Sequence, residues 1–314
     1  MASLPLVSVV TPSYNQVAYL EAAMQSVLGQ DYPDLEYLVA DGGSTDGSVE
    51  IIRKYAGRLA WWVSEKDQGQ ADGANKGFQR ARGEIIGWLN SDDLYRPGAI
   101  AAAVAAFQNN PGAGLVFSDV ESIDASGALI NVMRFGPRTL ADLMAFKIIS
   151  QPGVFMRRDL LEQVGYLDTS YHLLLDHHLW LRLARLAPPV YIPGKPWAAA
   201  RFHPGAKNVA QASAFGREAF RVAQWLEEAP EYQEMMAANR RRVWAGAHRL
   251  NAFYLLDGGQ PGAALKAYWK AFWLRPAVVL PDWYRVLYAV FSPLGLSGLR
   301  RAYLERRKKK LNTG

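Results

Sequence analysis

Short apolar runs alternate with amphipathic segments over the first part of the chain. Runs rich in β-branched residues predict buried strands, and apolar residues spaced three or four positions apart predict helices. The predicted strands cover 6–11, 35–40, 59–64, 85–89 and 114–118, and the predicted helices cover 19–28, 48–55, 72–81 and 97–109. Because strands that alternate with helices at this spacing form a mostly parallel sheet, the pattern predicts an α/β fold with flanking helices.

The pattern becomes less regular in the middle of the chain and purely helical towards its end. We predict a hairpin over 120–135, a returning strand within 148–157, helices over 160–164 and 171–186, and short strands at 191–193 and 198–202. Longer helices are predicted over 212–228, 232–256 and 263–274. The change of pattern predicts two domains, an α/β domain over 1–210 and a helical extension over 211–314.

Acidic residues follow the predicted strands where these end. Asn90, Ser91, Asp92 and Asp93 follow the apolar run 85–89 directly, and Asp41 and Asp67 follow earlier strands. Since the carboxyl ends of parallel strands share one edge of a sheet, these side chains should converge there. Adjacent carboxylates repel each other, and oxygen-rich sites suit Mg²⁺ or Mn²⁺ with a phosphate ligand. Taken alone, however, the stretch 90–93 is explained equally well as a polar turn capped by aspartate.

Composition narrows the class of protein. Half of the 314 residues are apolar and a fifth are charged, which is typical of a globular protein. The absence of cysteine excludes disulfides, thiolate zinc sites and a cysteine nucleophile. No G-x-G-x-x-G follows the first strand, which argues against a dinucleotide site. The N-terminus lacks the pattern of a secretory signal, so we expect a cytoplasmic protein.

The net charge of +6 is concentrated at the C-terminus. Residues 300–314 carry seven basic residues and one acid, which leaves the body formally neutral and argues against a nucleic-acid partner. Two interpretations of this tail stay open. With the aromatic and apolar stretch before it, the tail could bind an anionic membrane surface on the inner face of the cell membrane. Alternatively, the lysines are merely solvated and the aromatic side chains pack helix on helix.

Five motifs in order resemble family 2 glycosyltransferases with the GT-A fold. They are T-P-S-Y-N (11–15), A-D-G-G-S-T-D-G-S (40–48), D-Q-G-Q-A-D-G-A-N-K-G (67–77), W-L-N-S-D-D (88–93), and L-D-H-H-L-W-L-R-L (175–183) followed by R-F-H (201–203). The resemblance covers roughly residues 5–205 and points in particular to bacterial transferases that build O-antigen or exopolysaccharide repeat units. It implies inverting, metal-dependent transfer of a sugar from a nucleotide-sugar donor, usually a UDP-sugar, to a saccharide acceptor, which we expect to be lipid-linked.

The resemblance also implies roles for individual residues. It divides the first domain into a nucleotide-binding half (1–95) and an acceptor half (96–210). The expected nucleotide-sugar site consists of Thr11, Pro12 and Asp41 for the base, Asp67, Asp72, Asn75 and Lys76 for the ribose and diphosphate, and Tyr14, Asn90 and Asp92 without a more specific role. The expected ligands of Mn²⁺ or Mg²⁺ are Asp93, Asp92 and His203. Asp176 is the expected general base that takes the proton of the acceptor hydroxyl.

The chain departs from the family pattern at three positions. Asn90 replaces the first acid of the D-x-D motif, Ala74 stands where many relatives carry an arginine, and Leu175 replaces the glutamate of the E-D motif. Two other functions therefore remain as alternatives. The chain could be a catalytically inactive module that binds a sugar nucleotide. The D-H-H triplet at 176–178 also occurs in metal-dependent phosphoesterases, but their further N-terminal aspartate motifs are missing here.

Three more side chains near these motifs have structural interpretations. We expect Asp46 to cap a turn or a helix rather than to contact a ligand. We expect His177 and His178 to lie on a helix surface and in a groove rather than to bind a metal ion.

Overall fold

The computed structural model describes residues 4–203, 205, 207, 211 and 214–292. It divides the chain into two compact units, the first comprising Met1–Pro137 and Ile149–Phe202 and the second Arg138–Ile148 and His203–Gly314. The predicted domain boundary at residue 210 and the basic tail 300–314 lie outside the described residues. Both therefore stay predictions.

The first unit contains two sheets. In chain order, their strands are β1 (Val7–Ser13), β2 (Leu35–Asp41), β3 (Trp61–Ser64), β4 (Ile85–Trp88), β5 (Leu94–Tyr95), β6 (Leu115–Ser118), β7 (Val120–Ile123), β8 (Leu129–Met133), β9 (Val154–Arg157), β10 (Pro189–Ile192) and β11 (Ala198–Arg201). Among the described residues, the larger sheet has the order β10-β6-β9-β4-β1-β2-β3 and the smaller one β5-β11-β7-β8.

The larger sheet is mostly parallel, as predicted. Only the pairs that β9 makes with β4 and β6 are antiparallel within the described sheet. The central strands are mostly apolar and buried, and Val9, Val10 and Ile86 have no exposed surface. The predicted hairpin is also confirmed, since β7 and β8 pair antiparallel.

Seven helices precede the long helical region. They are α1 (Val17–Leu28), α2 (Ser48–Tyr55), α3 (Gln70–Phe78), α4 (Ala99–Asn109), α5 (Leu140–Met144), α6 (Arg158–Val164) and α7 (Leu175–Leu186) among the described residues. The prediction that α7 starts at residue 171 was wrong. The carboxylate of Asp168 accepts hydrogen bonds from the amide and hydroxyl of Ser170, and this local turn keeps the backbone out of the helix.

The second unit is helical. Besides α5 it contains α8 (Phe215–Glu228), α9 (Gln233–Asp257), α10 (Pro261–Leu274), α11 (Pro276–Val279) and α12 (Trp283–Phe291). Helix α9 packs on both α8 and α10. It also passes so close to α5 that a Cβ atom on Gly246 would lie 2.2 Å from the carbonyl oxygen of Ala145. No helix within the described part of the chain is long and apolar enough to span a bilayer.

Candidate functional site

The turn after β4 holds the two carboxylates that the sequence singled out. Strand β4 continues its bonding to β1 through the amide of Leu89, and the amide of Asp93 then donates to the carbonyl of Asn90 at 3.1 Å. This tight turn places Asp93 inside the protein, with 6% of its surface exposed, and leaves Asp92 half-buried. The Asp93 carboxylate accepts hydrogen bonds from the backbone amide of Arg201 at 2.9 Å and from Asn90 Nδ2 at 3.4 Å.

These two hydrogen bonds do not balance the charge of Asp93. Burial raises the pKa of the Asp93 carboxyl well above its usual value, and the neighbouring Asp92 carboxylate raises it further. The bonds from Arg201 and Asn90 act in the opposite direction but are outweighed. A cation bound at the pair would favour the ionised form, which is the behaviour expected of a metal-binding carboxylate.

Arg201 fixes this turn from the end of β11. Its Nε donates to the carbonyl of Asp92 at 2.9 Å, and its Nη1 donates to the carbonyls of Asp124 and Ala125 at 3.1 and 3.0 Å. The guanidinium also lies 4.9 Å from the ring centre of Tyr19. Arg201 belongs to the R-F-H motif, but no role was predicted for it from the sequence. Its position could have indicated a role, because Arg201 is the one charged residue of strand β11, whose other residues are alanines.

Asn90 connects the turn to two glutamines. Its Oδ1 accepts from Gln70 Nε2 at 2.7 Å, and its Nδ2 donates to Gln151 Oε1 at 2.9 Å, while Gln151 Nε2 donates to the carbonyl of Trp88. An aspartate at position 90 could accept from Gln70 but could not donate to Gln151. This explains why an amide stands in the first position of the D-x-D motif. Neither Gln70 nor Gln151 was predicted from the sequence to belong to the site.

The predicted base-binding residues lie at the ends of β1 and β2, which are neighbours in the sheet with Ser13 opposite Asp41. Asp41 is 2% exposed, and its carboxylate accepts hydrogen bonds from the amides of Gly43 and Ser44 and from the hydroxyls of Ser44 and Ser64. In this structure the residue therefore organises the turn after β2.

Of the three residues predicted for the nucleotide-sugar site at the end of β1 and just after it, two are buried and one is open to solvent. Thr11 is fully buried and accepts from the hydroxyl of Tyr37 at 3.0 Å, and Pro12 is buried beside it. Tyr14, in contrast, is 60% exposed. An open groove of about 540 Å³ lies next to Asp41. It is lined by Ser44 and Ser64, which bond Asp41, and by Val49, Glu50, Arg53, Trp62 and Val63. Asp92 and Asp93 are not among its lining residues.

Asp67 lies against two glycines of the predicted motifs. A Cβ atom on Gly42 or Gly73 would lie 2.7 or 2.9 Å from Asp67 Oδ2, so a larger residue at either position would push this carboxylate away. Asp67 Oδ1 accepts from the amide of Gly69 at 2.9 Å. In the same loop, the carboxylate of Asp72 accepts from the amide of Gln68 at 3.0 Å. The two aspartates thus shape the loop that leads into α3.

Asn75 and Lys76 make contacts within the protein. Asn75 exchanges two hydrogen bonds with the backbone of Leu167, at 2.8 and 3.0 Å. Lys76 Nζ lies 2.9 Å from Glu65, whose side chain is 56% exposed. A phosphate group at Lys76 would compete with this exposed carboxylate. The expected roles of both residues in the diphosphate site stay predictions.

Asp176 lies in the first turn of α7 and is half-buried, with its Oδ1 accepting from the amide of His177 at 2.7 Å. The expected surface position of the two histidines was wrong. His177 and His178 are 0% and 3% exposed, and His178 stacks on Tyr171 with ring centres 4.3 Å apart. The physical reason is that α7 buries side chains around most of its circumference, so that the two histidines are buried together with Leu175, Leu179, Trp180, Leu181, Leu183 and Ala184 of the same helix.

Asp46 is confirmed as a capping residue. Its carboxylate accepts from the amide of Val17 at 2.9 Å and from the amide of Ser48 at 3.0 Å, and thereby bonds the starts of α1 and α2. His203 is 9% exposed and belongs to the second unit, so its expected metal role stays a prediction. Within the part of the chain that the structure describes, no three His, Cys, Asp or Glu side chains are grouped to hold a metal ion.

Two curated relatives share part of this sequence. The chain is 31% identical over 174 residues to an uncharacterized glycosyltransferase of Nostoc sp., which covers 52% of this chain and 54% of the relative. It is also 31% identical over 185 residues to the O-antigen biosynthesis protein RfbC of Myxococcus xanthus, which covers 57% of this chain and 14% of RfbC. The chain thus spans about half or less of the length of these two relatives.

Two solved structures with the same fold contain a bound nucleotide sugar. Residues 1–349 of S. aureus TarS in complex with UDP-GlcNAc match with a TM-score of 0.60 and 17% identity, over 84% of this chain and 89% of that one. The mannosyltransferase PcManGT of Pyrobaculum calidifontis, in complex with GDP-Man and Mn²⁺, matches with a TM-score of 0.59 and 22% identity, over 96% of this chain and 86% of that one. These likenesses confirm the predicted GT-A fold.

A sequence profile ties the site to its family. The profile described as glycosyl transferase family 2 matches residues 8–165, half of the chain, and the matched region includes β1, β2, the Asp67 loop and the Asp92–Asp93 turn. The chain therefore belongs to glycosyl transferase family 2.

Proposed function

We propose that this protein transfers a sugar, with inversion, from a nucleotide-sugar donor to a saccharide acceptor in the synthesis of a surface polysaccharide. The observation that carries the proposal is the buried Asp93 carboxylate, which lies beside Asp92 in a turn held by Arg201 and Asn90. A carboxylate kept at a raised pKa in a rigid turn is suited to bind a cation rather than to stabilise the fold. The complexes of TarS with UDP-GlcNAc and of PcManGT with GDP-Man support a nucleotide-sugar donor, and we take a UDP-sugar as the first choice.

The residues at the turn fit Mn²⁺ or Mg²⁺ if the donor completes the site. Carboxylate oxygens are hard ligands, and Mg²⁺ is typically held by one or two carboxylates together with substrate phosphates. We propose Asp93 as a ligand, with Asp92 beside it and phosphate oxygens of the donor completing the site. When bound, the ion would stabilise the negative charge of the departing nucleotide diphosphate.

The chain's own residues supply the remaining chemistry. Asp176 accepts the proton of the acceptor hydroxyl while the hydroxyl oxygen bonds to the anomeric carbon and the carbon–oxygen bond to the diphosphate breaks. Attack from the face opposite the leaving group inverts the anomeric centre. Asp41 and the residues at the end of β1 hold the base, and the Asp67–Lys76 segment holds the ribose and diphosphate, with Lys76 leaving Glu65 for the phosphate.

We further propose that the acceptor is a lipid-linked saccharide, so that the protein works at the inner face of the cell membrane. The relative RfbC, an O-antigen biosynthesis protein, supports this acceptor class. The aromatic surface of the second unit, described below, supports the same location.

The proposal is tested by following nucleotide release from a panel of UDP- and GDP-sugars with Mn²⁺, Mg²⁺ or a chelator, for the wild type and Asp176→Asn. We expect turnover to require the ion and to fall at least a hundredfold, roughly, in the variant, as for loss of a general base. Donor affinity, measured by calorimetry, should change little in this variant, because Asp176 acts on the acceptor.

The same experiment separates an enzyme from an inactive binding module. A module would bind the donor with an ion but release no nucleotide with any acceptor. Full activity of Asp176→Asn would contradict the assignment of the base, while full activity in the presence of chelator would contradict the proposed metal dependence.

A further inference from the structure

Two helices of the second unit expose an unusual amount of apolar surface. On α10, Trp269 and Trp273 are 61% and 67% exposed, and Phe272 lies between them. Their rings contact one another, with the centres of Trp269 and Trp273 5.5 Å apart. The spacing of these three residues places them on one side of the helix. We call them the tryptophan face.

Helix α12 adds a second apolar strip. Leu287, Val290 and Phe291 are exposed by 46%, 43% and 39%, at positions that share one side of this helix. The two helices pack on each other through other residues: Ala264 and Ala289 are buried in one cluster, against which Leu265, Tyr284 and Tyr288 pack. The exposed aromatic and aliphatic side chains are therefore not needed to hold these helices together.

The charges around these strips have a single sign. Lys266, Lys270 and Arg275 are exposed on or just after α10. Asp282 is the one acid between residues 261 and 292, all of which the structure describes, and it is buried and hydrogen-bonded to Arg249. Exposed tryptophans flanked by cations, without an exposed carboxylate in the same segment, match the chemistry of an anionic lipid surface, which offers an apolar interior below phosphate groups.

We infer that the tryptophan face and the α12 strip dock this protein onto an anionic phospholipid bilayer. The tryptophan rings lie at the level of the headgroups, their preferred depth, while Lys266 and Lys270 contact lipid phosphates. The basic residues of 300–314 would add to this attraction. Only the role of this docking rests on the proposed function: it would hold the enzyme beside a lipid-linked acceptor. Binding to vesicles is measured without donor or acceptor, so either proposal can fail alone.

The test is co-sedimentation of the full chain with vesicles of phosphatidylcholine, with or without phosphatidylserine. We expect the wild type to sediment with the anionic vesicles and to stay largely in solution with the neutral ones. The variant Trp269→Ala/Trp273→Ala should bind at least about tenfold more weakly, because it loses most of the inserted area. Lys266→Gln/Lys270→Gln should also bind roughly tenfold more weakly, and the loss should disappear in high salt.

Two control variants keep the test decisive. Leu129→Ala removes an apolar side chain that is 60% exposed on β8 of the first unit, and it should bind like the wild type. Trp269→Phe/Trp273→Phe keeps aromatic rings and should retain much of the binding. The inference is overturned if the alanine variant binds like the wild type or if neutral vesicles bind equally well. It is also overturned if the wild type ignores vesicles and gel filtration shows a dimer that the alanine variant cannot form, since a second copy would then cover this face.

Discussion

The turn after β4 buries Asp93 and the start of α5 partly buries Asp142, but the two sites treat the charge of the aspartate in opposite ways. Asp93 lies beside another carboxylate, and burial and this neighbour raise its pKa. Asp142 is also desolvated, yet hydrogen bonds from Lys147 and Thr139 outweigh burial and hold the pKa of its carboxyl well below the usual range. Arg242 approaches the same carboxylate. The second unit thus uses its aspartate to join α5 to α9, whereas the first unit keeps Asp93 in a state that favours binding a cation.

The difference shows how structural and functional carboxylates can be told apart. Thr139 and Asp142 cap each other at the start of α5 in a capping box, and every charge at that point has a counter-charge. At the β4 turn, in contrast, the side chains of Arg201 and Gln151 donate to backbone carbonyls, those of Asp92 and Trp88. The turn is therefore well held, while burial and the neighbouring Asp92 carboxylate keep the pKa of the Asp93 carboxyl raised. Surroundings of this kind are typical of sites that act on ligands.

The largest expected effect separates the two aspartates by activity. Asp93→Asn keeps the shape of the side chain and its bond from the Arg201 amide, but removes the charge that we propose binds the ion. Nucleotide release should fall about a thousandfold, as for loss of electrostatic stabilisation of a leaving group. Asp142→Asn, the matched change in the second unit, should leave the rate within about threefold of the wild type. Equal losses in both variants would mean that the comparison reflects folding rather than chemistry.

The next effect concerns the residue that holds the turn. Arg201→Met removes three hydrogen bonds from the guanidinium to backbone carbonyls, so we expect the free energy of unfolding to fall by about 3 kcal/mol. Because the Asp92 carbonyl is then free to move, the rate should also fall, by roughly tenfold or more. Chemical denaturation and nucleotide release measure the two losses.

Asn90→Asp offers a milder control for Arg201→Met. It loses the bonds that Asn90 donates to Gln151 and Asp93 and adds a carboxylate beside Asp93, without touching Arg201, and should lower the free energy of unfolding by about 2 kcal/mol. Unchanged stability and an unchanged rate in Arg201→Met would contradict the inference that Arg201 holds the turn after β4.

The apolar runs of the sequence were enough to predict the parallel sheet, because each central strand must be apolar on both faces. They also located the acids, since strand ends are visible as abrupt changes to polar residues. The partners of those acids could not be predicted in this way. Arg201 is 108 positions from Asp93 and Gln151 is 61 positions from Asn90, and no local pattern specifies which distant residues the sheet brings together.

The sequence was also misleading about charge and burial on α7. Adjacent histidines on a helix suggest a polar side, and we expected them at the surface and in a groove. The helix instead buries leucine, tryptophan and histidine side chains around most of its axis. Asp176, at its first turn, remains half-buried, which is the exposure a base needs to meet an acceptor. Burial thus depends on what packs around a helix, and one sequence alone does not show that.

A smaller effect is expected for the stability of the second unit. Asp142→Ala removes a helix cap and the partner of Lys147 and Arg242. We expect the free energy of unfolding to fall by about 2 kcal/mol, because solvent screens the half-exposed Lys147 and its ion pair contributes little. Thermal unfolding of the full chain measures it. Asp159→Ala breaks an exposed ion pair with Arg157 and serves as the control, with an expected change below about 0.5 kcal/mol. Equal shifts in the two variants would mean that Asp142 is no more than a surface charge.

The smallest expected effect is a pH dependence of opposite sign for the two aspartates. The pKa of Asp93 is raised on folding, so the folded protein binds the extra proton, and stability falls as the pH rises above the usual value of 3.8 towards the folded pKa. The pKa of Asp142 is lowered, so its contribution is complete above 3.8 and is lost as the pH falls below that value.

Relative to the wild type, Asp93→Asn should therefore gain stability as the pH rises from about 4 to 8, by about 1 kcal/mol or more, since one pKa unit corresponds to about 1.4 kcal/mol. Asp142→Asn should recover its deficit as the pH falls below about 4. Urea unfolding across this range, without divalent ions, measures both differences. Adding Mn²⁺ at neutral pH should stabilise the wild type but not Asp93→Asn, because only the ionised carboxylate can bind the cation. If Asp93→Asn instead loses stability with rising pH, Asp93 is a charge that the fold needs, and the contrast between the two units disappears.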